Sequence, residues 1–228
     1  IISKLKPVEG RFEKIGKIKN FSKVILDYAH TPEALKTCLL NLKEQFPNQK
    51  ISLLFGCGGN RDKDKRSKMG IIASKYSDEI FLTDDNPRFE NPKKIRDDIK
   101  KGIRKNKVIE IPSRAEAISN AIKKLNSGEI LLVAGKGHEL TQDFGDQKIH
   151  FSDKKIILNS IKKKNFTLSN NLKLNIIREA SNMKKLSSNL SIGLARINSK
   201  EVRKNDIFFA IKGKKNDGNN FIKQAFRK

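Results

Sequence analysis

Short apolar runs alternate with stretches of helical spacing through the first two thirds of the chain. The runs at 21–26, 51–55, 79–82, 108–111 and 130–134 are four to six residues long. Runs of this length without polar alternation predict strands buried on both faces, as in parallel sheets. Between them, 32–46 carries Ala34, Leu35, Cys38, Leu39 and Leu42 at helical spacing, with Thr31 as cap and Pro32 at the first helical position. Further helices are predicted up to Tyr76, over 92–105, over 114–125 after Ser113, and from Ser152 and Asp153 to about 163. The alternation predicts an α/β domain with a mostly parallel sheet, complete by about Asn165.

Polar turns close three of these runs. The run 79–82 ends in Thr83, Asp84, Asp85, Asn86, Pro87 and Arg88; 51–55 ends in Gly56, Cys57, Gly58, Gly59, Asn60 and Arg61; 130–134 ends in Gly135, Lys136, Gly137, His138 and Glu139. Open α/β sheets bind ligands beyond the carboxyl ends of their strands, so three such turns at one edge would make one site. The first strand empties into Asp27, Tyr28, Ala29 and His30. Asp27 and His30 either present polar groups at the strand end or cap the helix that follows.

Glycines in the second turn allow backbone amides to face an anion. The turn is not a Walker A loop, and it lacks the last glycine of the dinucleotide fingerprint. The pair His138 and Glu139 lacks the second histidine of a zinc-protease helix, with Gln142 and Asp143 in that region, so metal hydrolysis is set aside. Upstream, 6–13 contains Pro7 and Gly10 and reads as a leading linker with Arg11 exposed.

Downstream of Asn165 the chain changes character. A stretch rich in Asn, Ser and Lys over 165–190 leads to the run 206–213, and Asp217 and Gly218 precede a further helix. This predicts a first domain over 1–163 and part of a second, small α/β domain over 164–228.

The net charge of +24 comes mostly from lysines scattered along the chain with little aromatic interleaving. Such dispersion fits a solvated surface, or a field for anionic small molecules, better than a nucleic-acid interface. Two cysteines, Cys38 and Cys57, argue against a disulfide framework and a metal cluster, and point to a reducing, cytoplasmic compartment. Ile1 and Ile2 open no apolar leader, and no stretch approaches the ~20 apolar residues of a membrane helix. The first residue is not Met, and a fragment at both ends is expected.

Five motifs, taken in order, resemble the C-terminal domain of the Mur ligase family. They are Gly10 with Arg11, Phe12 and Glu13; Asp27 to Pro32; Gly56 to Arg66; Asp84 to Arg88; and Gly135 to Glu139. The resemblance implies a Rossmann-like fold, and its Asp85, Asn86, Pro87 and Arg88 match the branch that adds meso-diaminopimelate to UDP-N-acetylmuramoyl-L-alanyl-D-glutamate. It further implies ATP and magnesium as cofactors and an acyl-phosphate intermediate. Arg61, Asp85, Asn86, Pro87, Arg88, Gly135 and Glu139 would hold diaminopimelate, and Arg11, Asp27 and His30 would face the nucleotide. The central ATPase domain has no counterpart here, so these 228 residues alone are expected to be inactive. No catalytic residue and no metal ligand is assigned.

The region from Asn198 through Phe208 to Gly218 resembles the family's UDP-sugar-binding N-terminal domain, as though fused to the D-alanyl-D-alanine-adding ligase. Asn198, Ser199 and Lys200 stand where that domain usually has Asp-Ser/Thr-Arg, which makes Ser199 and Lys200 its candidate UDP-sugar contacts. Alternatives are a folylpolyglutamate-type ligase, a basic nucleic-acid-binding module and a non-catalytic scaffold.

Overall fold

In the computed structural model, which describes residues 8–104, 107–181, 195–203, 206–212 and 217–226, the apolar runs are strands of one sheet. Residues 6 and 7 of the expected linker, 182–190 of the Asn- and Ser-rich stretch, and Gly213 lie outside the described residues. The chain divides into two compact units, Ile1–Asn165 and Phe166–Lys228.

The first unit contains β1 (Glu13–Lys14), β2 (Lys23–Asp27), β3 (Ile51–Phe55), β4 (Glu79–Leu82), β5 (Lys107–Glu110) and β6 (Ile130–Ala134). Their order in the sheet is β1-β2-β6-β3-β4-β5; β1 is antiparallel to β2 and the other pairings are parallel. Every residue of β3 and β6 is buried, which is why both read as unbroken apolar runs.

The connecting helices are α1 (Pro32–Gln45), α2 (Asp64–Tyr76), α3 (Pro92–Lys100) and α4 (Arg114–Lys124). Leu35, Leu39, Met69, Ala73, Ile95 and Ile99 from the first three join Ile25, Leu53, Phe55, Ile80, Leu82 and Leu132 in one core. Local signals set the starts. Thr31 Oγ1 accepts from Ala34 N at 3.2 Å, Asn91 Oδ1 from Lys93 N at 2.9 Å, and Ser113 Oγ from Glu116 N at 3.4 Å.

Several expectations are corrected. The leading segment is not all linker, because Glu13 and Lys14 pair with Leu26 and Ile25 as an edge strand. Helix α3 stops at Lys100 rather than 105, since Gly102 presses on α2 so closely that a Cβ there would lie 1.9 Å from Ser67 O. The final helix, α5, runs Asp153–Ser181 rather than ending near 163. With no Gly or Pro between 153 and 181, nothing interrupts its backbone hydrogen bonding. An unforeseen hairpin pairs β7 (Thr141–Asp143) with β8 (Lys148–His150), and Phe144 N donates to Gln147 O across its turn.

In the second unit, β9 (Ala195–Arg196) pairs in parallel with β10 (Ile207–Phe208), and α6 (Ile222–Phe226) follows a 3-10 turn capped by Asp217.

The first unit is tied together by a buried ion pair. Arg114 Nε and Nη2 donate to the two oxygens of Asp153 at 2.9 and 2.7 Å, joining α4 to α5, and neither side chain is exposed. Removing one partner leaves an uncompensated buried charge, so Asp153→Ala is expected to lower unfolding free energy by about 3–5 kcal/mol in urea denaturation.

Candidate functional site

Parallel register brings four strand ends to one edge. Asp27 pairs with Ala134, Leu54 with Val133, and Phe55 with Leu82, so the turns after β2, β3, β4 and β6 leave the sheet side by side. They enclose a cleft of about 560 Å³. From the turn after β3 come Gly56, Cys57, Gly58 and Arg61; from that after β4, Asp85, Asn86 and Arg88; and from that after β6, Gly135 and Glu139. Tyr28, His30, Thr31, Asp62 and Lys65 complete the wall.

Glycines let the turns interlock. A Cβ at Gly59 would meet Pro87 O at 1.9 Å, and one at Gly56 would meet Thr83 O at 2.2 Å. Gly135, at φ +114°, leaves space that a Cβ would take 2.9 Å from Asp85 Oδ2.

The cleft carries both signs of charge. Arg88 and Arg61 bring cations to the cleft, while Asp85 and Glu139 bring carboxylates. Behind them lies Lys136, with no exposed surface, whose Nζ donates to Asn86 Oδ1 at 2.8 Å and Glu139 Oε2 at 2.9 Å. Asn86 Nδ2 donates to the same Glu139 oxygen at 3.1 Å. Burial pushes the Glu139 carboxyl up, but Lys136, Asn86 and Tyr28 outweigh it and hold the group below its ordinary value. The Tyr28 hydroxyl is pushed up, first by burial and then by the charge of Glu139 and its bond to it. Arg114 Nη1 has no hydrogen-bond partner and lies 3.9 Å from Asp85 Oδ2, so a second buried cation backs the cleft.

Of the residues expected at a site, Arg61, Asp85, Asn86, Arg88, Gly135, Glu139 and His30 line this cleft. Pro87 does not; its carbonyl accepts from Glu90 N in the turn itself. Asp27 is buried beneath, one oxygen accepting from Phe12 N and the other from Ala29 N, both at 2.7 Å. Arg11 stacks on the Tyr28 ring, 4.5 Å from its centroid. His30 Nδ1 lies 2.9 Å from Tyr28 O. In the second unit, Ser199 is buried with its hydroxyl 2.9 Å from Gln224 Oε1, and Lys200 borders a cleft with Arg196 and Arg203.

Tyr28, Lys136, Gln142 and Asp143 were missed as contributors. A lysine between two glycines at a strand end was a usable signal for Lys136. The run from Asp143 through Gly145 and Asp146 was a hairpin signal of the same kind.

A mostly parallel α/β sheet with a cleft beyond its carboxyl edge, lined by both signs of charge, defines the class: an open α/β domain with a ligand-sized cleft where such folds bind their ligands. Comparison with known proteins narrows this. The family described as "Mur ligase, glutamate ligase domain" matches residues 10–137, more than half of the chain, and the chain belongs to that family. It is 47% identical over 157 residues to a UDP-N-acetylmuramoyl-L-alanyl-D-glutamate--2,6-diaminopimelate ligase of Rickettsia prowazekii, a match covering 68% of this chain and 32% of that protein. A ligase of the same name from Buchnera aphidicola is 49% identical over 163 residues, covering 71% and 32%. A solved structure with that name superposes with TM-score 0.64 at 37% identity, covering 71% of this chain and 33% of the other. The chain therefore spans about a third of the length of the curated relatives it matches.

Both cysteines are buried, Cys57 against Met69 at the cleft floor, and burial pushes each thiol up to about 12. Neither should react with a thiol-specific disulfide reagent at pH 8 in the folded chain, whereas two equivalents should react in denaturant.

Proposed function

We propose that this chain is the amino-acid-binding part of an ATP-dependent ligase that adds meso-diaminopimelate to UDP-N-acetylmuramoyl-L-alanyl-D-glutamate in peptidoglycan precursor synthesis. The observation that carries it is the convergence of Arg88, Asp85, Asn86 and Glu139 in one cleft. The names of the relatives point to the same substrate.

The ligand has two amino-acid ends. Once one amine is aimed at the acyl phosphate of the UDP-linked dipeptide, the far ammonium and carboxylate need partners. Arg88 takes the carboxylate, where a planar fork serves better than a lysine ammonium. Glu139 and Asp85 take the ammonium, Asn86 adds a polar contact, and Gly135 admits the ligand close to the backbone. Arg61 adds positive charge on the carboxylate side. The amine then attacks the acyl phosphate, the amide bond forms and phosphate leaves.

Arg11, Asp27 and His30 are assigned to the nucleotide side. Asp27 holds the backbone at Phe12 and Ala29, one amide on each oxygen, and so sets the turn that faces the nucleotide. Among the described residues no group of three His, Cys, Asp or Glu is placed to hold a metal. ATP and magnesium are assigned to the family's central ATPase domain, whose motifs these 228 residues do not contain. No helix among the described residues is long and apolar enough to cross a membrane. The cytoplasm is assigned from the relatives, ligases named for a UDP-linked precursor. The second unit we read as the start of a UDP-sugar-binding domain of the D-alanyl-D-alanine-adding type. Ser199 and Lys200 are its candidate contacts; the cleft that Lys200 forms with Arg196 and Arg203 supports Lys200, whereas Ser199 is buried outside it.

Calorimetric titration at millimolar sensitivity tests the cleft. The chain should bind meso-diaminopimelate in preference to L-lysine, which lacks the far carboxylate and so leaves the ligand-facing N–H groups of Arg88 without their acceptor, at a cost of about 1.5–3 kcal/mol. Arg88→Ala should abolish the preference; a preference that survives it would refute the assignment. Supplied with ATP and UDP-dipeptide, the 228-residue chain should release no ADP, and turnover by it would show that the ATPase assignment is wrong.

A further inference from the structure

One residue of the unforeseen hairpin is in contact with half of the proposed binding loop. Asp143 N donates to Asn86 Oδ1 at 3.0 Å, Asp143 O accepts from Arg88 N at 3.0 Å, and Asp143 Oδ2 lies 3.5 Å from Arg88 Nε. Its other carboxylate oxygen accepts from Gly145 N at 3.0 Å, bracing the side chain against the hairpin turn. Next to it, Gln142 is 4% exposed and donates Nε2 to Asp85 O at 2.7 Å. The hairpin thus holds the loop at Asp85, Asn86 and Arg88 in succession.

That loop needs holding. Arg88 sits at φ +50°, a left-handed conformation unfavourable for a residue with a side chain. Its guanidinium is gripped on two sides, by Asp143 at Nε and by Gly59 O, which accepts from Nη1 at 2.7 Å. Gly58 leaves room for that pose: a Cβ there would lie 3.0 Å from Nη1 and press the guanidinium aside by a few tenths of an ångström. An arginine has five N–H donors; one Nη1 hydrogen goes to Gly59 O and Nε faces the Asp143 carboxylate as an ion pair, which leaves both hydrogens of Nη2 and one of Nη1 for a ligand carboxylate. A long side chain fixed before the ligand arrives loses less freedom on binding.

We propose that Asp143 is a positioning and specificity-determining residue: its carboxylate pre-sets the Arg88 guanidinium for the far carboxylate of a diamino diacid, and so adds affinity for that ligand but not for a monocarboxylate amine. This rests on the reading of the cleft given above. Asp143 acts through Arg88.

Asp143→Asn is the test. It keeps the backbone contacts to Asn86 and Arg88 and an acceptor for Gly145 N, and removes the charge beside Nε. Titration of the 228-residue chain should show about three- to tenfold weaker binding of meso-diaminopimelate, the range expected for immobilising one flexible side chain, with L-lysine binding within about twofold of wild type. A general loosening of the fold would weaken both ligands alike. Equal or tighter binding of meso-diaminopimelate would overturn the proposal, as would parallel loss of both ligands.

The ligand-free chain gives a second measurement, the NMR signal of the Arg88 Nε–H, assigned by its loss in Arg88→Ala. It should shift and exchange faster in Asp143→Asn, and an unmoved signal would overturn the proposal whatever the titration shows. Arg88→Ala also separates the two readings. If it leaves the preference for meso-diaminopimelate intact, the cleft assignment fails and this inference with it. If it abolishes the preference while Asp143→Asn changes nothing, the inference alone fails.

Discussion

Two cations with no exposed surface, Arg114 and Lys136, are the constraint on which the cleft depends. A buried charge is tolerated when it is paired and hydrogen-bonded, so each must find carboxylates or carbonyls at fixed positions. Arg114 finds Asp153 at the start of α5 and the Ala134 carbonyl at the end of β6, and its remaining nitrogen faces Asp85. Lys136 finds Asn86 and Glu139. Residues far apart in the chain are thereby held at one sheet edge. Asp85 and Glu139 are supported from behind while facing the cleft in front.

Backbone contact does the rest of the assembly. The glycine turn after β3 lies against the turn after β4 so closely that side chains at Gly56 or Gly59 would collide with carbonyl oxygens. Gly10 makes a similar approach to the turn after β6, where a Cβ would meet His138 N at 2.3 Å. Glycines at these positions serve packing between turns as much as any approach of a ligand. The same close contact places Arg88 Nη1 on the Gly59 carbonyl. Specificity in the proposed reaction would therefore come from groups already in place, not from groups recruited by the substrate.

Much of this was legible beforehand where the signal was local. Strands β3, β4 and β6 were recognisable because burial on both faces demands unbroken apolar runs, and α1 and α4 because Thr31 and Ser113 are caps with apolar spacing behind them. The three polar turns were readable as one site because parallel strands put their carboxyl ends together. Less was readable where a decision depended on a distant partner. The edge strand at Glu13 and Lys14 exists because Ile25 and Leu26 offer it a free edge, and α3 ends where Gly102 meets α2. The length of α5 is not legible in the sequence, because the polar composition after Asn165 reads as a break although nothing in it prevents helix.

The amino-acid sequence by itself determined the order of strands and helices, the glycine and carboxylate chemistry of the turns, and the resemblance that pointed to Arg88, Asp85 and Glu139. These follow from burial, capping and residue type, which act over a few positions. Only the tertiary structure decided that Asp27 spends both oxygens on backbone amides, that Lys136 is buried behind Asn86 and Glu139, and that Asp143 meets Arg88. Each of these is a pairing between groups separated in the chain or turned inward by it, and desolvation, which makes such pairings obligatory, arises only once the chain has closed around them.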